Sequence, residues 1–328
     1  MKIIKRLLII LLIILIALGV ILSISPYPVS LLIRKMFDGG LAVAPENFEA
    51  IKENVIIEED LEYPSQFKSN TYDMFTPKNS DELIPTIIWI HGGAFVGGDK
   101  HDIYEYATQI ANEGYRVISM NYDRAPEAKY PTPLIQVGEL TKYVLSHYSQ
   151  DIKEDNLFYA GDSAGAHIAS QFAMIQNDGE YAKLTGIEPV LPKNVIKGML
   201  LYCGPYDISS LVERTKESKI LDFFAHKIAW AYLGDSKWKS SDLVSTLSII
   251  DYVNEDFPAS FITDGNKGSF MEHGEALASK LESFNIPVVT KFYPLEIEEL
   301  IHEYQFKMNL QSSIETMEAT LEFLNTYK

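Results

Sequence analysis

Apolar residues fall along this chain in two rhythms. Short runs with little polar interruption, at residues 86–90, 116–121, 157–160, 197–203, 260–263 and 288–293, read as buried strands. Between them apolar positions recur at helical spacing, as at Ile168, Phe172 and Ile175, and again at Ile314, Met317, Leu321 and Leu324. Strands alternating with helices predict an α/β chain whose mostly parallel central sheet carries helices on both faces. An earlier stretch, 66–75, reads as an antiparallel strand. Residues 207–256 break the alternation: the pattern is helical and rich in aromatics (Phe223, Phe224, Trp230, Tyr232). This predicts an inserted helical cap over about 208–256, which with residues 30–51 would roof a site on the sheet. For most of those aromatics simple packing is the expected role.

The first residues follow a third pattern. Lys2, Lys5 and Arg6 precede an unbroken apolar run from Leu7 to Leu22 that Ser23 and Ile24 extend to Ser25-Pro26. That length suits a helix spanning a bilayer. No small-residue cleavage site of the A-x-A kind ends the run, and no cysteine follows it for a lipid anchor. The basic flank predicts a cytoplasmic N-terminus, so the expectation is a single-pass signal anchor in the cell membrane with the rest extracytoplasmic. Cleavage near Ser25 is the alternative. The expected organisation is an anchor (1–25), a juxtamembrane segment with early strands (26–80) and one α/β domain (81–328), large enough for a full core.

Charge narrows the partners. Forty-five acidic against 28 basic residues give a net charge of −17, spread along the chain, which argues against nucleic acid and against anionic surfaces. The single cysteine, Cys203, lies in an apolar strand, cannot form an internal disulfide and reads as a small core residue. No Cys/His cluster has metal-ligand spacing.

Chemistry enters at Gly161-Asp162-Ser163-Ala164-Gly165. The run before it reads as a strand and the pattern after it as a helix, so Ser163 sits on a strand-to-helix turn too sharp for side chains at its flanks. Such a turn exposes a strained nucleophile. A second segment, His91-Gly92-Gly93-Ala94-Phe95-Val96-Gly97-Gly98, follows the strand 86–90 directly. Glycines let backbone N–H groups approach a developing oxyanion. Gly92 and Gly93 are expected to supply two donors, and Ala164 a third. Neither Gly-Lys-Ser/Thr nor G-x-G-x-x-G spacing is present, which disfavours a phosphate loop.

With these two motifs and Asn121-Tyr122-Asp123-Arg124-Ala125-Pro126-Glu127 plus Tyr130-Pro131 between them, the chain resembles the hormone-sensitive-lipase-like branch of the α/β-hydrolases, which includes acetyl-esterases and arylacetamide-deacetylase-like carboxylesterases. The middle segment is similar to one that braces the oxyanion loop in that family; read on its own it is a turn with a Pro-locked exit and an Arg–Glu pair. The resemblance, covering the chain from about residue 82, implies the α/β-hydrolase fold, hydrolysis of small-molecule carboxylic esters through an acyl-enzyme, and no cofactor or metal.

A base and an acid are then needed, in the order Ser…Asp/Glu…His. Of the histidines after Ser163, His167 lies along the nucleophile helix, His226 in the cap and His273 at the start of a helix, whereas His302 lies between the last strand and the last helix. There the fold delivers its base, and the resemblance implies the same residue. The alternative is a solvated loop histidine among Glu296, Glu298, Glu299 and Glu303. The acid departs from the family: matching its Asp-Pro-Leu-x-Asp-Glu-Gly segment from Asp264 puts Gly268 at the acid position. Asp264 is the favoured carboxylate, with Glu272 and Asp207 as alternatives. That departure keeps open a non-catalytic binding protein on this fold; within the chemistry, the alternative is an amidase or peptidase, which needs better protonation of its leaving group.

Overall fold

Eight strands form the scaffold: β1 (Val55–Glu62), β2 (Thr71–Pro77), β3 (Thr86–Ile90), β4 (Arg116–Met120), β5 (Leu157–Asp162), β6 (Gly198–Tyr202), β7 (Ser260–Thr263) and β8 (Val288–Lys291). They make one sheet in the order β1-β2-β4-β3-β5-β6-β7-β8. Strands β4 to β8 run parallel, and β2 and β1 complete one edge antiparallel. The computed structural model describes residues 2–37, 39–40, 42–79, 83–214 and 218–328; the expected boundary between 80 and 81 lies outside them, as do 215–217 of the expected cap.

Twelve α-helices accompany the sheet among the described residues: α1 (Lys2–Ile24), α2 (Tyr27–Phe37), α3 (Phe48–Lys52), α4 (Tyr104–Asn112), α5 (Thr132–His147), α6 (Ala164–Asn177), α7 (Gly179–Thr185), α8 (Ile208–Arg214), α9 (Lys219–Leu233), α10 (Leu243–Leu247), α11 (Met271–Ser283) and α12 (Gln311–Tyr327). Every residue of β3, β4 and β5 is buried, as continuous apolar runs in a sheet covered on both sides require. One core gathers α5, α6 and α11 against Ile88, Ile118 and Tyr159; the other gathers α4 and α12 against Trp89, Val117 and Phe158. These successive residues point to opposite faces of their strands.

Several boundaries differ from expectation for local reasons. The strand expected at 66–75 starts only at Thr71, because the preceding backbone bonds to side chains instead: Ser69 N donates to Asp123 Oδ1 (2.6 Å) and Gln136 Nε2 to Ser69 O (3.1 Å). Strand β1 had no clear pattern, since its Glu58, Glu59, Asp60 and Glu62 face solvent on the sheet edge. The strand expected at 288–293 ends at Lys291. Residues 208–256 hold α8, α9, α10 and short 3₁₀ turns, so the helical insertion is broken into pieces.

Helix α1 is long and apolar enough to cross a membrane, and none of its candidate span, Ile3–Ile24, is buried in the protein. At its end Leu22 packs against a small cluster of Val29 and Ile33 (α2), Val96, and Ala231 and Tyr232 (α9).

Candidate active site

Ser163 lies between β5 and α6 with φ +50° and ψ −118°, a conformation that costs a non-glycine residue about 1–3 kcal/mol. Other non-glycine residues with positive φ gather around it: Ala94, Phe95, Cys203 and Glu303. The turn is as tight as the glycines imply. A Cβ on Gly161 would meet the Gly165 backbone at 2.4 Å, and one on Gly165 would meet Ile90 O at 1.9 Å. Helix α6 is thereby pressed onto the end of β3, where the glycine-rich loop begins.

Ser163 Oγ lies 2.9 Å from His302 Nε2. His302 Nδ1 lies 2.5 Å from Ser269 Oγ, and that hydroxyl donates to Asp264 Oδ1. Asp264 therefore meets His302 through Ser269, in contrast to the direct contact expected. The network assigns one tautomer: Nδ1–H donates to Ser269, leaving the Nε2 lone pair to accept from Ser163. Gly268, at the position where the family's acid falls, has φ +64° and swings the chain so that the next residue, Ser269, faces the imidazole. Asp264 Oδ2 also accepts Phe270 N (3.1 Å), fixing the loop.

The other candidates lie elsewhere. Asp207 N donates to His273 Nδ1 (3.1 Å) and Asp207 Oδ1 accepts Ser210 N (2.8 Å), while Glu272 is exposed on α11. His167 is buried with Nε2 on Leu247 O (2.8 Å), and His226 Nδ1 accepts Trp238 Nε1 (3.2 Å) within the cap.

Burial governs the charges. It lowers His302 to about 4, so the ring is neutral at physiological pH. It raises Asp264 to about 7, against hydrogen bonds from Ser269, Cys203, Gly265 and Phe270 that pull the other way. Cys203, Asp264 and His302 bring ligand-type atoms within 4.8 Å of one another, a trio that sequence spacing conceals. Burial keeps the Cys203 thiol protonated and Nε2 is taken up by Ser163, so the donor chemistry fits a proton network rather than a metal set.

The glycine loop departs from expectation at one donor. Gly92 N donates to Asp162 Oδ2 (2.8 Å), so it is not available to an oxyanion. No internal acceptor is assigned among the described residues to the N–H of Gly93, Ala94 or Ala164. Ala94 escaped the sequence reading because attention to glycine passes over an alanine, yet its φ is +53°. The middle motif braces this loop: Tyr122 OH donates to His91 O (3.0 Å), Arg124 Nη1 to Gly98 O (2.5 Å), and Ala125 N to Phe95 O (2.9 Å). The expected Arg–Glu pair is not within the motif. Glu127 instead pairs with Arg34 of α2 (2.6 Å), whose guanidinium also donates to Val96 O and Ala125 O (2.6 and 2.9 Å).

Behind the loop Asp162 and Glu303 form a buried carboxyl pair that sequence reasoning missed; a charged residue ending an apolar strand was the available signal. Asp162 Oδ1 accepts Trp89 Nε1 (2.8 Å); burial and then the charge of Asp102 raise Asp162, against a hydrogen bond from Glu303, and burial and then the charge of Asp162 raise Glu303. A carboxyl raised by folding binds more protons folded than unfolded, so stability falls as pH rises above its unfolded value. Glu303→Gln is therefore expected to melt at a higher temperature than the unaltered chain at pH 8, the difference closing towards pH 4.5. Calorimetry across that range checks it; a variant less stable at pH 8 would mean the ionised carboxylate supports the fold.

Ser163 and Ala94 lie on the wall of an apolar cavity of about 400 Å³. Phe95, His167, Ile208, Phe224, Ile228 and Tyr232 line it, so α8 and α9 roof it, with Tyr232 stacked on Phe95 at 4.1 Å.

A mostly parallel sheet, a strained serine at the β5–α6 turn and a histidine before the last helix define an α/β-hydrolase of the hormone-sensitive-lipase-like kind. The BD-FAE family profile matches residues 72–281, and the chain belongs to that family. Esterase LipQ of Mycobacterium tuberculosis is 23% identical over 244 residues, covering 73% of this chain and 55% of that protein. The chain thus spans about half the length of this relative. Acetyl esterase of Salmonella paratyphi A is 26% identical over 257 residues, 73% of this chain and 72% of the relative. Among solved structures, inhibited esterase B of Lactobacillus rhamnosis superposes with a TM-score of 0.71 at 25% identity, covering 88% of this chain and 89% of that one.

Proposed function

We propose that the protein is a serine hydrolase of carboxylic esters. The observation that carries this reading is Ser163 Oγ held 2.9 Å from an unprotonated His302 Nε2 on the wall of an apolar cavity. Esterase relatives and neighbours support it. Ser163 Oγ attacks the ester carbonyl carbon while its proton passes to His302 Nε2. The oxyanion is taken by the N–H groups of Gly93, Ala94 and Ala164, the last at the N-terminus of α6, where the helix dipole adds to the donors. His302 gives its proton to the departing alkoxide. It then takes one from water as the water attacks the acyl carbon, and passes that proton to Ser163 Oγ as the acyl–oxygen bond breaks, releasing the acid and restoring Ser163. Ser269 and Asp264 hold the ring and offset the imidazolium charge. We further propose that α1 is a single-pass anchor with the catalytic domain extracytoplasmic.

Purified full-length protein in detergent, offered p-nitrophenyl esters from two to sixteen acyl carbons and the matching anilides, tests the reading. Ester turnover above the anilides is the expected result. Anilide turnover alone would make it an amidase, and binding of an ester without turnover would make it the non-catalytic alternative.

A further inference from the structure

The roof of the cavity carries apolar residues on its outer side as well. On α2, Val29 and Ile33 are buried inward, while Tyr27, Leu31, Leu32 and Met36 face out, between 44% and 74% exposed. Among the exposed positions of that helix only Lys35 is polar, and a lysine stem reaches back to headgroups from an apolar surface. At the start of α9, Ile220 and Leu221 are 69% and 61% exposed. Leu221 also lines the cavity holding Ser163, so it stands at the mouth. Helices α2 and α9 pack on each other, and Phe224, one turn along from Ile220 and Leu221, joins their shared cluster. Isolated exposed apolar residues are ordinary, but a helix with such an outer face marks an interaction surface.

What covers it follows from the chain. Only Ser25 and Pro26 separate α2 from α1, a reach of about 7 Å, so a bilayer holding α1 lies within touching distance of α2. Leu22 fixes the end of α1 to the α2–α9 cluster, and Arg34 ties α2 to Val96 O, Ala125 O and Glu127, so α2 cannot roll its outer face inward without breaking those bonds. We propose that the outer faces of α2 and of the start of α9 rest in the lipid–water interface, and that the cavity mouth at Leu221 opens there, so that the enzyme takes its esters from the lipid phase. This rests on the ester-hydrolase reading and on α1 being embedded. The acidic surface of the rest of the chain favours zwitterionic over anionic lipid.

The full-length chain in phosphatidylcholine vesicles tests it. Fluorophores on Leu32→Cys, Met36→Cys and Ile220→Cys are expected to be quenched by nitroxide-labelled lipid and shielded from aqueous iodide. Leu184→Cys, at an exposed position of α7, should behave in the opposite way. Labels at 32, 36 and 220 as open to iodide as at 184 would overturn the proposal. So would labels shielded from both quenchers, which would indicate cover by a second copy or another protein. In parallel, Leu31→Glu combined with Leu32→Glu is expected to lower hydrolysis of a vesicle-dissolved long-chain ester about ten-fold, with water-soluble p-nitrophenyl butyrate within about two-fold. Equal losses on both esters, or none on either, would overturn entry from lipid. If the unaltered chain hydrolyses neither ester, the ester reading fails and quenching alone decides the docking surface.

Discussion

Replacing Ser163 by alanine is expected to remove ester turnover by about 10⁴-fold or more while leaving the fold in place. The side chain makes a single hydrogen bond, to His302, and the strained backbone at φ +50° is held by Ser163 N on Tyr202 O (2.7 Å) and by the glycines around it. Alanine can occupy that backbone as serine does. Residual activity would come from the N–H groups of Gly93, Ala94 and Ala164, which do not depend on the hydroxyl. Steady-state kinetics beside circular dichroism of the variant decide it. A folded variant that keeps more than a hundredth of the activity would place the nucleophile elsewhere.

The second large effect lies in the relay. In a direct triad, exchanging the acid for its amide costs about 10⁴-fold because the histidine is held in the wrong tautomer. Here Ser269 stands between, and an asparagine oxygen at 264 could still accept from its hydroxyl, so Asp264→Asn is expected to cost only about 10²-fold in kcat. Ser269→Ala strips Nδ1 of its acceptor and is expected to cost about 10²- to 10³-fold. Combining the two should be little worse than Ser269→Ala alone, since residues acting as one unit are not additive. The pH profile provides a second readout. Asp264 offsets the imidazolium charge only when ionised, and burial raises it to about 7, so kcat/KM should climb with pH through about 7. His302, lowered to about 4, does not produce that limb, and it should vanish in Asp264→Asn. Additive losses, or a limb that survives in Asp264→Asn, would remove Asp264 from the mechanism.

The parallel sheet was legible because β3, β4 and β5 are buried on both faces, and such strands must be written as unbroken apolar runs. The turn carrying Ser163 was legible for a similar reason: backbone within 1.9 Å of a would-be Cβ on Gly165 admits one residue type. Strand β1 was not, because an exposed edge strand puts little constraint on its side chains. The link from Asp264 to His302 was hidden more deeply. It depends on Gly268 turning the loop so that a hydroxyl five residues from the carboxylate occupies the gap, and no spacing rule encodes where a loop folds back. The commitment of Gly92 N to Asp162 was hidden too, since a glycine in the sequence does not say where its N–H points.

Arg34 sets a practical limit on how the protein can be made soluble. A version trimmed back to the first strand of the sheet would drop α2, and with it the Arg34 guanidinium that donates to Val96 O, Ala125 O and Glu127. The loop that carries Gly93 and Ala94 would lose its outer clasp while the catalytic serine and histidine stayed intact. Poor activity in such a preparation would measure a slackened loop and say little about the chemistry, so the cut belongs before Tyr27.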